Sequence, residues 1–242
     1  MAHSGFRRDP QALNTEAVED YAKALHALAQ RCDGPVSTSA LAERLGVSAG
    51  SVTSMLKRMD EMGLVRHEPY RGALLTERGE KVALEVIRHH RLLESYLAEV
   101  LGMPWDRVHD EAEVLEHYIS EELEERIASA LGDPEHDPHG DPIPNAALDL
   151  ADDDTVRLAD LQPGSTASFA RVSDSDPEML RYLDERGIRP GSKLEVTGRD
   201  PFEGPLHVTV AGAQHVLGER LAGAIRVLEV RHLTSRSHSG SG

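Results

Sequence analysis

Apolar positions recur at helical spacing early in the chain. Ala17, Tyr21, Ala24, Leu25 and Leu28 fall on one face behind Asn14 or Thr15, either of which can cap a first helix. After the break at Gly34-Pro35, Ser39 to Leu45 reads as a short helix ended by Gly46. Val47 to Ser51 then open a third helix with Val52, Met55, Leu56 and Met59 along one side. Helix, tight glycine turn and helix is the order of a helix-turn-helix. Residues 63–75 read as two short strands around Tyr70-Arg71-Gly72, a wing, and Thr76 begins a long helix.

Residues 82–131 carry two further helices separated near Gly102-Met103-Pro104. The second is expected to run from Val108 to about Leu131, with Val114, Tyr118, Leu123 and Ile127 as its apolar stripe. Paired helices with such stripes suggest a symmetric partner surface and hence a homodimer. Residues 132–156, dense in proline and aspartate, read as a linker. From Leu161 to Val230 short apolar alternations such as Lys193–Thr197 and Leu206–Val210 predict a small β-barrel, with one helix at Asp176–Arg186. The Ser/Gly/His-rich tail from Ser235 reads as disordered. The fold expected is mainly α with small β parts. A winged helix-turn-helix occupies 1–81, a helical dimerisation domain with linker 82–150, a β-barrel domain 151–235, and a tail 236–242.

Composition narrows the function. At 242 residues, two or three small domains are expected. No apolar run approaches a membrane span, and the segment MAHSGFRRDP lacks the hydrophobic region of a signal peptide, so a cytoplasmic protein without membrane partners is expected. A single cysteine, Cys32, excludes an internal disulfide and a four-thiolate zinc site, and reads as a small core residue. The net charge of −16 speaks against nucleic acid until it is divided along the chain. Residues 1–81 hold 11 basic and 11 acidic side chains, 82–160 hold 5 and 21, and 161–242 hold 10 and 10. All the excess acid therefore lies in the middle third.

That third contains the run His109-Asp-Glu-Ala-Glu113-Val-Leu-Glu116-His117. At roughly 100° per residue, positions 109, 113, 116 and 117 share one face of a helix. Glu113, Glu116 and His117 can then meet one ion, while His109 looks onto a second spot one turn earlier. On the preceding helix His90 and Glu94 are four residues apart and share a face likewise. Oxygen and imidazole donors without thiolate suit Mn(II), Fe(II) or Zn(II), and the carboxylate weighting favours the harder ions.

These motifs, in order, resemble the diphtheria toxin repressor family of metal-dependent repressors, in its manganese-responsive long form with a C-terminal SH3-like β-barrel of the FeoA type. The resemblance is carried by Asp20-Tyr21, Ala42-Glu-Arg-Leu45, Val52-Thr53, Gly63-Leu-Val65, Arg88-His-His-Arg-Leu-Leu-Glu94, the His109–His117 run and Asp137-Pro-His-Gly-Asp-Pro-Ile-Pro144. It implies a primary activating site of Asp20, Glu113, Glu116 and His117. The iron-responsive branch has methionine in place of Asp20 and cysteine in place of Glu113. Replacing both sulfurs by carboxylates points to Mn(II), with Fe(II) as the alternative. Lys23 stands where some short manganese regulators place a metal-binding glutamate, which argues against a two-ion cluster there. A second ion per subunit is implied at an ancillary site of His90, Glu94 and His109, with Asp174, or less favourably Asp176, from the C-terminal domain and with Asp137 and His139 from the linker.

For the operator, a double-stranded DNA, the third helix offers Ser48, Ser51, Thr53 and Ser54 near its start and Lys57 and Arg58 further along. Arg71 and Tyr70 on the wing, and Arg7 and Arg8, are candidates for the phosphate backbone. The function expected is a repressor of metal-uptake genes, active when metal-loaded, and not an enzyme. A metal-dependent hydrolase is the rival prompted by Glu113-x-x-Glu116-His117, and a metal buffer is a second, but no general base or cleft accompanies either.

Overall fold

A computed structural model of the chain describes residues 12–232 apart from 33, 69 and 70. Arg7, Arg8, Tyr70 and the tail from Ser235 lie outside the described residues. The chain divides into two compact units. One comprises residues 1–90, 113–126 and 144–150, the other 91–112, 127–143 and 151–242.

The first unit opens with α1 (Ala12–Ala29), α2 (Thr38–Leu45) and α3 (Ala49–Glu61). Because α1 begins at Ala12, Asn14 and Thr15 lie inside its first turn and are not its caps. Ser37 caps α2 by accepting the Ala40 N–H, and Gly46 closes it at φ +64°, where its N–H returns to the Ala42 carbonyl. That left-handed residue makes the tight turn, after which Ser48 caps α3 through the Ser51 N–H. The strands β1 (Val65–Glu68) and β2 (Gly72–Leu75) pair antiparallel as the expected wing, and Val36 bridges to Ala73 beside them. Tyr21, Leu25, Leu41, Val52, Leu56 and Met59 form a closed core under these elements. The long helix α4 (Glu77–Glu99) starts tightly against the wing: a Cβ at Gly79 would come within 1.9 Å of the Leu64 carbonyl oxygen.

The expected single helix over 108–131 is two helices, α5 (Val108–Leu115) and α6 (Glu121–Ala130). Between them the Tyr118 N–H turns back to the Leu115 carbonyl, and Ser120 starts the next helix, its Oγ accepting the Leu123 N–H at 3.3 Å. Glu116 and His117 therefore stand on a turn. Of the predicted apolar stripe Ile127 is buried, whereas Val114, Tyr118 and Leu123 are exposed. Cys32, expected in the core, is exposed, with its Sγ 3.3 Å from the Leu28 carbonyl.

The second unit holds the C-terminal sheet, made of β3 (Val156–Arg157), β4 (Ser165–Val172), β5 (Lys193–Arg199), β6 (Leu206–Val210), β7 (Ala213–Leu217) and β8 (Ile225–His232). Its order is β3-β8-β4-β5-β6-β7, every pair antiparallel. The structure thus shows a six-stranded sheet domain, carrying α7 (Pro177–Asp184) and α8 (Glu219–Ala224). Trp105, Phe169, Leu180, Leu183, Val196 and Val208 fill its core. Residues 133–143, expected as part of a linker, are folded in. His136 bridges to Pro142, and Asp137, His139, Gly140 and Ile143 are buried. The cause is close backbone approach. The Val172 N–H donates to the His139 carbonyl, and Gly140, at φ +90°, leaves only 2.0 Å between an added Cβ and the Ala170 carbonyl oxygen. No described helix is long and apolar enough to cross a membrane.

Candidate metal centres

In the first unit, ligand atoms of Asp20, Glu116 and His117 lie within 4.8 Å of one another. Asp20 is presented by α1 and the other two by the turn after α5. His117 Nε2 is 3.1 Å from Asp20 Oδ1 and 3.6 Å from Glu116 Oε1, while its Nδ1 meets Glu19 Oε2 at 2.6 Å. Glu19 was not singled out by its sequence position. It holds the far side of the ring, as a carboxylate behind a metal-binding histidine does, fixing the tautomer that leaves Nε2 for an ion. Burial opposes a charge on His117, but the hydrogen bonds it donates to Asp20 and Glu19 and the field of Glu116 outweigh this and push the imidazole up to about 10.

Glu113 and Glu116 are bridged by a cation belonging to the chain. Lys23 Nζ lies 2.7 Å from Glu113 Oε1 and 2.6 Å from Glu116 Oε1. Burial works against this ammonium, yet the facing Glu116 and Glu113 carboxylates more than compensate and raise its pKa. The cluster thus holds a positive charge at a spot lined by two carboxylates and by His90, whose Nδ1 is 2.5 Å from Glu116 Oε2 and 4.0 Å from Glu113 Oε1. His90, expected at the ancillary site, therefore also borders the primary cluster. An oxygen-rich site with one aligned imidazole and a resident ammonium as stand-in fits a divalent cation by its donor chemistry.

In the second unit, Glu94, fully buried near the end of α4, meets two histidines. His109 Nδ1 on α5 is 3.4 Å from Glu94 Oε1 and 3.1 Å from Asp174 Oδ2, in the loop after β4. His139 Nδ1 is 3.6 Å from Glu94 Oε2, and ligand atoms of Glu94, Asp137 and His139 converge within 4.8 Å. The Trp105 carbonyl accepts a hydrogen bond from His139 Nε2–H at 2.7 Å, leaving Nδ1 toward Glu94. Hydrogen bonds that His109 donates to Asp174 and Glu94 overcome burial and push it up to about 10. Burial likewise opposes charge on His139, and Glu94 pushes it up to about 9. Asp137 is raised well above the usual carboxylate range by burial and by the charges of Glu94 and Asp141. Its Oδ1 accepts the backbone N–H groups of His139 and Asp141, which shapes the turn. Asp176 does other work, capping α7 and pairing with Arg220 at 2.6 Å.

On α3 the candidate DNA residues Ser48, Ser51, Thr53, Ser54 and Lys57 are exposed, and Arg58 is partly exposed. Their hydroxyls are engaged locally. Ser48 Oγ is 2.8 Å from Ser51 Oγ, Thr53 Oγ1 donates to the Ala49 carbonyl and Ser54 Oγ to the Gly50 carbonyl. Arg71 is exposed on the wing and pairs with Glu68 at 2.9 Å.

The chain is similar to known proteins over most of its length. Residues 14–73 match the iron-dependent repressor N-terminal DNA-binding domain, 76–145 the iron-dependent repressor metal-binding and dimerisation domain, and 156–229 the FeoA domain. The chain is 32% identical over 229 residues to the iron-dependent repressor IdeR of Mycobacterium tuberculosis, covering 89% of this chain and 98% of that one. It is 29% identical over 227 residues to the diphtheria toxin repressor of Corynebacterium diphtheriae, with the same coverage. A solved manganese-dependent transcriptional repressor in complex with manganese is similar at 42% identity and a TM-score of 0.81, over 87% of this chain and 99% of that one. ScaR with bound Cd2+ is similar at 31% identity and a TM-score of 0.74, over 88% and 99%. With DNA-binding, metal-binding and dimerisation, and FeoA domains in order, the chain belongs to the diphtheria toxin repressor family of metal-dependent transcriptional repressors, which are DNA-binding regulators and not enzymes.

Proposed function

We propose that this protein is a cytoplasmic, homodimeric repressor that senses Mn(II) and, when metal-loaded, binds operator DNA and turns off metal-uptake genes. The observation that carries this reading is the convergence of Asp20, Glu116 and His117 ligand atoms within 4.8 Å, with no sulfur among them. Carboxylate and imidazole donors select for harder ions, whereas thioether and thiolate would favour softer ones. The similar manganese-dependent repressor solved in complex with manganese supports the same choice, while the relatives named above include an iron-dependent repressor.

Asp20, Glu113, Glu116 and His117 would hold the primary ion, which supplies the double positive charge that this carboxylate cluster attracts. His117 gives up the proton on Nε2 and keeps Nδ1 toward Glu19. Asp20 is thereby held against the turn after α5, and α1 with it. Because α1 packs on α2 and α2 on α3, fixing α1 fixes the helix that faces DNA. With α1 held in this way the DNA-competent state would be favoured over the alternative. Glu94, His109 and Asp174 would hold a second ion, with Asp137 and His139 adjoining. Ser48, Ser51, Thr53 and Ser54 would face the major groove, with Lys57, Arg58 and Arg71 on phosphates.

The test is operator affinity measured with Mn(II) and, anaerobically, with Fe(II), for the wild type and Asp20→Ala. Activation by Mn(II) that disappears in Asp20→Ala is expected. Equal affinity with and without metal sinks the reading, and a clear preference for Fe(II) transfers it to an iron-responsive repressor.

A further inference from the structure

The first unit contains a ligand cluster that neither proposed site uses. Glu85 and His89 are four residues apart on α4, and Glu121 opens α6; one ligand atom from each lies within 4.8 Å of the others. A carboxylate in the first turn of a helix is favoured by the N-terminal dipole, which accounts for Glu121 being acidic but not for its approach to a second carboxylate. The approach is close enough for Glu85 and Glu121 to share a hydrogen bond, and burial together with that contact raises the Glu85 carboxyl above its ordinary range.

His89 decides what the cluster is suited to. Its side chain is nine-tenths buried, and its Nδ1 is 3.1 Å from the backbone carbonyl of Glu116. A carbonyl only accepts, so Nδ1 carries the proton and the lone pair of a neutral ring is on Nε2. Nε2 is shut off from solvent and makes no hydrogen bond: Glu124 Oε2 stands 2.8 Å away but out of alignment. The other oxygen of Glu124 is held by Arg88 Nε at 2.5 Å. A histidine whose one nitrogen donates to a main-chain carbonyl, and whose other faces carboxylates, has the arrangement of a metal ligand.

We propose that Glu85, His89 and Glu121 form a third divalent-cation site, taking a hard or borderline ion such as Mn(II) or Zn(II) through two carboxylate oxygens and one imidazole nitrogen. The site is distinct from the primary cluster but joined to it through the main chain, since the carbonyl that orients His89 belongs to Glu116. The proposal does not depend on which ion the primary site prefers.

Equilibrium dialysis of the full-length protein against Mn(II) and, separately, Zn(II) tests it. Glu85→Gln and Glu121→Gln are compared with wild type, and Glu116→Gln serves as the variant that loses the primary ion. Glu121 is exposed and begins its helix, so its replacement leaves packing intact. With at least one of the two ions, both Glu85→Gln and Glu121→Gln should bind one ion per subunit fewer than wild type, with a further ion lost when either is combined with Glu116→Gln. If either single variant binds as many ions as wild type under both metals, His89 simply pairs with Glu124 and the proposal is overturned.

Discussion

At the scale of single residues, the chemistry depends on side chains that are not themselves expected ligands. Glu19 holds His117 Nδ1 at 2.6 Å, so Glu19→Ala frees the ring to rotate and to change tautomer. A loss of about 10–100-fold in Mn(II) affinity at the primary site is expected, read by calorimetric titration, since second-shell partners of ligating histidines are typically worth that much. Gly140 makes a different kind of contribution. It takes φ +90° and presses on the Ala170 carbonyl with no room for a methyl group. Gly140→Ala should therefore lower stability by about 2 kcal/mol, the scale of overpacking with backbone strain. Denaturant unfolding with an unchanged midpoint would refute that account.

At the scale of elements, the helix-turn-helix and wing were readable because each boundary has a local cause: Ser37 and Ser48 as caps, Gly46 in a left-handed turn, and Gly72 at positive φ where the short antiparallel hairpin turns. The sheet and α7 were readable for similar reasons. The break between α5 and α6 was not, because the apolar and acidic positions of 108–131 continue at helical spacing straight through it. The signal was Ser120 followed by Glu121, Glu122 and Glu124, a cap with an acidic first turn. Ser120→Ala should weaken α6 by about 1 kcal/mol, visible as a lower unfolding midpoint in the metal-free protein. The folded stretch 133–143 was hidden by composition. Proline and aspartate read as a linker, and what buries it is contact with residues far away in sequence, among them those of Gly140 and His139 with β4. Most of the primary cluster could be located from spacing and resemblance, yet Glu19, the Lys23 bridge and the Glu85–His89–Glu121 group depend on distances no spacing rule supplies.

At the scale of the whole molecule, metal and protons compete. His109 and His117 are pushed from an ordinary value near 6.5 to about 10 in the folded, metal-free chain. A folded-state pKa above the unfolded one stabilises fully below about 6.5 and ceases to stabilise as pH rises through about 10. The metal-free protein should thus lose thermal stability between pH 7 and 10. Over the same interval Mn(II) affinity should rise, because fewer protons must be expelled from the imidazoles. Unfolding scans in chelator and in Mn(II) across that range check both signs; metal-free stability that stays flat would contradict the first.

The Lys23 ammonium between Glu113 and Glu116 has a consequence for where such a sensor is set. A cluster of bare carboxylates would be strained without metal and would respond to traces of it. With a tethered charge already lodged there, the metal-free protein rests in a comfortable state, and an arriving ion is weighed against that tether. In the proposed sensor the threshold of the switch would be moved upward, toward plenty and away from scarcity, by one lysine on the first helix.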